Sequence, residues 1–233
     1  MKTSKLLICA VAVSTAFASL SAKGQNLTAT LNGISPGLTL NGTWNGSFFY
    51  DYPAGVMNFT EQGRGLDFSA FCVQPLQDIA YGETLVYEIQ SPLSLANSDI
   101  IARLIGGYLT SAPSNENAAA VQWAIWEVTT ETTTAQTLLE GSVRIVPPAG
   151  DATALLANQY LANVMNYTPV AFTHLSNPTR QDVVTWNIPE PGSVALAALS
   201  GLLLLRRRRA CEPRVPAARH PSRADRATRD RRG

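Results

Sequence analysis

Two apolar runs at opposite ends of the chain restrict the part that can fold in water to its middle. The first run covers residues 6–20, follows Lys2 and Lys5, and leads into small residues. A basic start, an apolar core and a small-residue site in this order are typical of a secretory signal peptide. We therefore predict a signal peptide over residues 1–22 and export of the rest. An uncleaved membrane anchor is the alternative, but three hydroxyl residues interrupt the run.

The second apolar run covers residues 194–205 and lies between a Pro-Glu-Pro tripeptide and a cluster of arginines. A helix over this run would rise only about 18 Å, whereas the hydrocarbon core of a bilayer is about 30 Å thick. Arginine side chains can extend to the lipid headgroups, and they would hold their end of the helix on the cytoplasmic side. We predict a short transmembrane helix and a membrane stop formed by Arg206, Arg207, Arg208 and Arg209.

The order of these parts over residues 188–209 resembles the PEP-CTERM sorting signal of exported bacterial proteins. The resemblance implies that a membrane enzyme called exosortase recognises Pro189, Glu190 and Pro191 and removes the tail. The implied partners are this exosortase-type processing enzyme and, transiently, the inner membrane. The implied destination is the cell surface or the extracellular matrix of a bacterium that makes exopolysaccharide.

Residues 210–233 continue beyond the arginine cluster with a basic sequence rich in Arg, Ala and Pro. They contain few apolar side chains that could pack in a core, so we predict a disordered tail. A basic arm for nucleic acid or anionic lipid, a solvated cytoplasmic stub, and read-through of a lost stop codon are the alternatives. The stub and the read-through are favoured, because the composition changes abruptly after the cluster.

The charges and cysteines of the middle segment exclude several classes of function. Residues 23–188 contain five basic and thirteen acidic residues, so we expect no nucleic-acid partner, which would require a basic surface. Cys72 is the only cysteine between the two apolar runs, which excludes a disulfide framework and a zinc site with several thiolates. The chain has two histidines, and we expect His174 to be a surface or satisfied residue rather than a ligand. We predict no metal, no cofactor and no enzymatic activity.

Turn signals in residues 23–187 predict one α+β domain with a β-rich N-terminal half and about three central helices. Asn-Gly dipeptides at residues 32–33, 41–42 and 45–46 predict tight turns between strands. Runs of β-branched, aromatic and alternating apolar residues indicate the strands. The predicted strands cover residues 27–31, 47–50, 57–60, 68–73, 84–90, 169–172 and 183–186.

Three helical patterns follow the first strands. Ser98 is expected to cap the first helix, and Gly106 and Gly107 to weaken its end. The second helix is predicted over residues 116–128. Asp151 is expected to cap the third helix, whose apolar side would carry Leu155, Leu156, Tyr160 and Val164.

Gln122 and Cys72 form the one pair in the segment that could carry chemistry. Gln122 lies on or beside the apolar stripe of the second predicted helix, and Cys72 lies in a predicted buried strand. A buried amide must find hydrogen-bond partners or be chemically consumed. A cysteine thiolate can attack the glutamine carboxamide and release ammonia, which leaves an internal thioester. Such a thioester is open to attack by an amine or hydroxyl group, and burial against Trp126 would keep water away.

The two sequence contexts, Phe71-Cys72 and Gln122-Trp123-Ala124-Ile125-Trp126, resemble the thioester domains of bacterial surface adhesins. The resemblance covers residues 68–165. It implies that Cys72 and Gln122 form an internal thioester, which captures an amine-bearing partner at the cell surface. The alternative is that Cys72 is an ordinary buried thiol, while Gln122 hydrogen-bonds the backbone of a neighbouring strand.

Two further functions remain open for the middle segment. The first is a non-covalent structural component of an exopolysaccharide or biofilm matrix. The second is a secreted glycan-active enzyme, with Asp67 and Asp78 as paired carboxylates. The tryptophans could form a sugar-stacking platform or pack in the core, and core packing is the favoured interpretation. These tryptophans are Trp44, Trp123, Trp126 and Trp186.

Overall fold

The computed structural model describes residues 25–131, 137–146 and 151–187. The predicted signal peptide, the Pro-Glu-Pro tripeptide, the short C-terminal helix with its arginines, and the basic tail lie outside the described residues. Within them the fold is α+β, with a sheet-rich part and three α-helices, as the sequence predicts. None of these helices is long and apolar enough to cross a bilayer.

The elements follow one another along the chain in a β-rich half and a mixed half. The strands are β1 (Asn26–Trp44), β2 (Ser47–Glu61), β3 (Asp67–Cys72), β4 (Thr84–Gln90), β5 (Val143–Ile145), β6 (Thr173–Ser176) and β7 (Val183–Thr185). The helices are α1 (Ser98–Thr110), α2 (Asn115–Thr130) and α3 (Ala152–Ala162). Single 3₁₀ turns cover Pro92–Ser94 and Val164–Asn166.

Six of the described strands close into a ring. β2, β3, β7, β6, β4 and β1 are neighbours in this order, and β1 pairs again with β2. The pairings are antiparallel, and β5 adds a short ladder to the end of β1. The ring of Phe59 on β2 packs edge-on against Tyr87 on β4, although β1 lies between these strands. Both rings are fully buried, so they form an aromatic contact across the face of β1.

Only one of the three predicted Asn-Gly turns is a turn, because β1 and β2 form one long hairpin. Asn45 and Gly46 have φ angles of 48° and 82° and join the two strands. The other two dipeptides lie inside β1, where the register shifts between Leu31 and Gly33 and between Leu40 and Gly42. The prediction of turns at residues 32–33 and 41–42 is therefore wrong. The strand absorbs these residues as irregularities in the ladder, without reversing.

Helix α2 is the buried centre of the described domain. All of its residues from Ala118 to Val128 are buried, and it packs against α1, α3 and strands β1, β2 and β3. The helix predicted over residues 116–128 is thus confirmed, with Ser114 as the cap whose Oγ accepts from the Asn117 backbone N–H. A helix without a solvent-facing side must satisfy its polar side chains inside the protein. For α2 these side chains are Gln122 and Glu127.

Gly106 and Gly107 lie within α1 and do not weaken its end, so that prediction is wrong. The helix continues to Thr110, and both glycines are buried. A Cβ atom at Gly106 would collide with the backbone carbonyl of Thr168, and one at Gly107 would collide with the ring of Tyr167. The two glycines therefore permit the segment after α3 to pack directly on α1.

Two boundaries near the helices also differ from the prediction. Asn97 is the residue before α1, and Ser98 is its first residue rather than its cap. The Asn97 side chain donates to the backbone carbonyl of Val128 at 2.7 Å, so this position ties the start of α1 to the end of α2. The closing strand predicted at residues 169–172 is β6, which begins only at Thr173.

The cap of α3 is as predicted, but its buried face is not. The Asp151 carboxylate accepts from the backbone N–H groups of Thr153 and Ala154. The residues buried on α3 include Ala154, Ala157 and Leu161, whereas Leu155 is 49% exposed. Small alanine side chains bring α3 close to α2, and this close approach turns the larger Leu155 outward. Tyr160 and Val164 are buried, as expected.

Glu127 is a carboxyl group buried inside the domain. Its Oε1 accepts from the backbone N–H of Thr137 at 2.9 Å, while its Oε2 has no hydrogen-bond partner among the described residues. Burial raises the pKa of Glu127 from 4.5 to about 7. The Thr137 N–H lowers this pKa in part, and the charge of Glu131 raises it.

We expect Gly106→Ala to destabilise the protein, because its Cβ would displace the backbone at Thr168. Overpacking of this kind costs about 1–3 kcal/mol in the free energy of unfolding, which urea denaturation measures. Gly33→Ala is the matched control, since a Cβ there would meet no atom within 4 Å. Equal stabilities of the two variants would show that α1 does not need a glycine at residue 106.

The stability of the protein should fall as pH rises through about 7. The folded-state pKa of Glu127 lies above its unfolded value of 4.5, so its protonated form stabilises the fold. This contribution is complete below about pH 4.5 and is lost as the carboxyl group ionises. Urea denaturation between about pH 5 and pH 8 should show the decrease in wild type and a flatter profile in Glu127→Gln. Glu88→Gln, at an exposed position, should keep the wild-type slope.

Candidate functional site

The Gln122 carboxamide is hydrogen-bonded to the backbone of Cys72 at both of its ends. Gln122 Nε2 donates to the Cys72 carbonyl oxygen at 2.7 Å, and the Cys72 N–H donates to Gln122 Oε1 at 2.9 Å. Both residues are almost completely buried, with 1% and 2% of their surfaces exposed. The structure therefore brings together the two residues of the predicted pair, from positions 50 residues apart.

A gap in the sheet makes room for this amide. The β2–β3 ladder ends where Met57 pairs with Ala70, and if the register continued, Cys72 would pair with Gly55. Instead the Gln122 carboxamide takes the N–H and C=O of Cys72. On the other side of β3, Cys72 remains paired with Val183 of β7. The amide thus replaces one residue of β2 as the ladder partner of Cys72.

Burial dominates the electrostatics of the Cys72 thiol. It raises the pKa of Cys72 to about 12, while the Trp126 indole N–H and the Gln74 backbone N–H lower it in part. The Gln74 N–H lies 3.3 Å from Cys72 Sγ. The charges of Asp182 and Asp78 raise the pKa further. At neutral pH the sulfur therefore carries its proton.

A cavity of about 260 Å³ opens beside Cys72 and Gln122. Its walls combine apolar side chains with a few polar groups from β1, β2, β3, α2, the β3–β4 connection and the β6–β7 connection. The lining residues are Leu31, Ile34, Tyr52, Pro53, Gly55, Met57, Cys72, Asp78, Ile79, Ala80, Tyr81, Gln122, Trp126 and Gln181. A small nucleophile can therefore approach the pair through this cavity.

Tyr52 connects the wall of the cavity to the β3–β4 connection, which contains Pro75. Its hydroxyl donates to the Pro75 carbonyl oxygen at 2.7 Å and accepts from Gln181 Nε2 at 2.9 Å. Its ring lies 5.6 Å from that of Trp126. Burial raises the pKa of Tyr52, and the charge of Asp78 adds to this rise. Tyr52 therefore stays a neutral, fixed wall residue.

The arrangement has the parts that acyl transfer needs. An N–H group 2.9 Å from the amide oxygen is within the range at which donors stabilise a developing oxyanion. The second hydrogen bond fixes the amide nitrogen, which would be the leaving group. The Cys72 residue whose peptide groups bind the amide also lines the same cavity as Gln122.

The other predicted candidates lie apart from one another. Asp67 accepts from Thr60 and lines a separate surface cleft with Asn58 and Asn187, whereas Asp78 lines the Cys72 cavity. Trp44, Trp123 and Trp126 are buried, and Trp186 is partly buried beside Phe71. The tryptophans thus pack in the core, and the two acids do not share a cleft.

His174 has partners that the sequence did not reveal. Its Nδ1 lies 2.7 Å from Ser94 Oγ, and its Nε2 lies 3.3 Å from Asp182 Oδ2. The Ser94 hydroxyl already donates to the Ser91 carbonyl oxygen, so these side chains join the turn after β4 to the β6–β7 hairpin. A correct prediction of that hairpin places Asp182 near His174. The predicted strand at residues 169–172 ends before His174, so it does not give this pairing.

Among the described residues, no group of three His, Cys, Asp or Glu side chains could hold a metal ion. No family model matches the chain, and the searches of curated proteins and of solved structures found no similar protein.

Proposed function

We propose that residues 25–187 form an exported surface or matrix adhesion module with an internal thioester between Cys72 and Gln122. One observation carries this proposal: the amide of Gln122 is held by both hydrogen bonds against the backbone of Cys72, beside a cavity. The proposal is that an amine-bearing surface or matrix molecule enters the cavity and becomes covalently attached.

Formation of the thioester requires no outside reagent. Cys72 Sγ bonds to the Gln122 carboxamide carbon, the bond from that carbon to Nε2 breaks, and the thiol proton leaves with the nitrogen as ammonia. The Cys72 N–H would stabilise the oxyanion of the tetrahedral intermediate. Because burial raises the pKa of the thiol to about 12, the proton needed by the leaving ammonia is present on the sulfur.

The same burial would protect the thioester afterwards. Cys72 and Gln122 are 2% and 1% exposed, so little water would reach a bond between them. Water is also limited by the buried Trp126 and by the Tyr52 wall. The thioester carbonyl carbon would then react with a nucleophile that fits the cavity rather than with water.

In this proposal the C-terminal sorting signal determines where the module is delivered. The tripeptide Pro189-Glu190-Pro191 would be recognised by an exosortase-type enzyme while residues 194–205 hold the chain transiently in the inner membrane. Removal of the tail would deliver the module to the cell surface or extracellular matrix. An adhesion module needs such a location to meet a partner.

A non-covalent structural component of an exopolysaccharide or biofilm matrix is the second candidate. One observation favours it: both ends of the Gln122 amide are already satisfied by backbone hydrogen bonds. Gln122 would then complete the sheet and Cys72 would remain a buried thiol. Asp67 and Asp78 line different clefts, so this pair of carboxylates does not support the glycan-active enzyme.

We expect the purified wild-type chain to be lighter by one ammonia than the sequence between its mapped termini, as measured by intact mass spectrometry. Methylamine should add one methylamine at Gln122 and release a thiol at Cys72, which peptide mapping after alkylation detects. Cys72→Ala and Gln122→Ala should show neither the loss nor the adduct, because each removes one half of the bond.

Gln181→Ala is the matched control, since Gln181 lines the same cavity and its side chain donates to the Tyr52 hydroxyl. This variant should keep the ammonia loss. A wild-type chain of full sequence mass that does not react with methylamine would rule out the thioester and leave the matrix component.

Deletion of residues 189–191 should leave the C-terminal tail on the exported chain, because the processing enzyme loses its recognition motif. Mass spectrometry of membrane and extracellular fractions from the producing bacterium measures the retained tail. Deletion of three residues within 210–233 should leave processing intact. Release of the first variant with wild-type termini would contradict the sorting proposal.

A further inference from the structure

Asp78 is the only charged side chain among the described residues that line the cavity. It lies in the connection between β3 and β4 and is exposed. The described part contains four ion pairs, and Asp78 belongs to none of them. It also makes no hydrogen bond with another described residue. Its carboxylate is therefore available to a cation that enters the cavity.

The field of Asp78 extends to the reactive end of the cavity. Its charge contributes to the raised pKa values of both the Cys72 thiol and the Tyr52 hydroxyl. The charge of Asp182 acts on Cys72 in the same direction. The cavity contains no described basic residue that could cancel these charges. A cation is thus attracted toward Cys72, whereas a neutral molecule gains nothing from this field.

The net charge of the rest of the domain adds to the attraction of cations. Residues 23–188 contain thirteen acidic and five basic residues, so the long-range field also favours cations. The cavity walls near Asp78 include the apolar side chains of Ile34, Ile79 and Met57. These walls suit an alkyl chain that carries the charged group.

We propose that Asp78 is a specificity-determining residue, which binds the ammonium group of a primary alkylamine and so selects cationic nucleophiles over neutral amines and hydroxyl groups. This inference rests on the proposed thioester. An alkylamine with a pKa near that of lysine, about 10.4, is a cation at neutral pH. Asp78 would hold this cation in the cavity, and its carboxylate would stabilise the positive charge that the nitrogen carries while it bonds to the carbonyl carbon.

Capture converts the thioester into an amide. The bound ammonium gives one proton to solvent, and the amine nitrogen then bonds to the thioester carbonyl carbon. The bond from that carbon to Cys72 Sγ breaks, and the sulfur takes the second proton released by the nitrogen. The products are a secondary amide at residue 122, a free Cys72 thiol and one proton in solvent.

The test compares two nucleophiles on the full chain at neutral pH. Butylamine is a cation, and methoxyamine is neutral, so only butylamine should depend on Asp78. Asp78→Asn should lower the rate of the butylamine adduct about five- to tenfold and leave the methoxyamine rate within about twofold. Glu88→Gln removes the same charge at an exposed position outside the cavity and should change neither rate.

Wild type provides a second measurement that does not depend on a variant. Raising the salt concentration should slow butylamine relative to methoxyamine, because salt screens an exposed carboxylate. If both nucleophiles form adducts but neither Asp78→Asn nor salt changes their ratio, the role of Asp78 is wrong and the thioester stands. If neither nucleophile forms an adduct and no ammonia is lost, the thioester itself is wrong, and the role of Asp78 falls with it.

Discussion

The two hydrogen bonds between the Gln122 side chain and the Cys72 backbone are the constraint on which the site depends. A buried amide costs free energy unless both of its ends are hydrogen-bonded, and the same holds for the N–H and C=O of a buried strand residue. Strand β3 supplies the peptide groups that the buried amide of Gln122 needs. The amide in turn replaces the partner that β2 does not provide to Cys72. Separation of β2 from β3 therefore does not leave the Cys72 N–H and C=O unpaired, and the cavity lies beside this point.

The sequence predicts those features of the site that depend on local pattern. The helix that carries Gln122 and the strand that carries Cys72 both lie where the pattern places them. Their meeting is also anticipated, although by resemblance rather than by geometry. Tyr52 and Gln181 could not be predicted as cavity residues, because their positions depend on how the closed sheet brings distant segments together.

The wrong predictions share a physical cause: tertiary packing overrode the local conformational preferences of the glycines. An Asn-Gly dipeptide favours a turn, but at residues 41–42 the chain continues as a strand, and the ring of Trp123 occupies the space that a side chain on Gly42 would need. Glycines favour the end of a helix, but in α1 they allow contact with Tyr167 and Thr168. In each case the missing side chain serves a neighbour that is distant in sequence.

Strand β7, the last strand described, is flanked by β3 on one side and β6 on the other. A pulling force on the C-terminal side of the domain therefore acts along two antiparallel ladders at once and must shear both, whereas an edge strand can be peeled away one bond at a time. Within these three strands, Cys72 of β3 pairs with Val183 of β7. If the proposed thioester captures a partner, tension between that partner and the C-terminal side of the domain would thus be resisted by the strands on both sides of Val183.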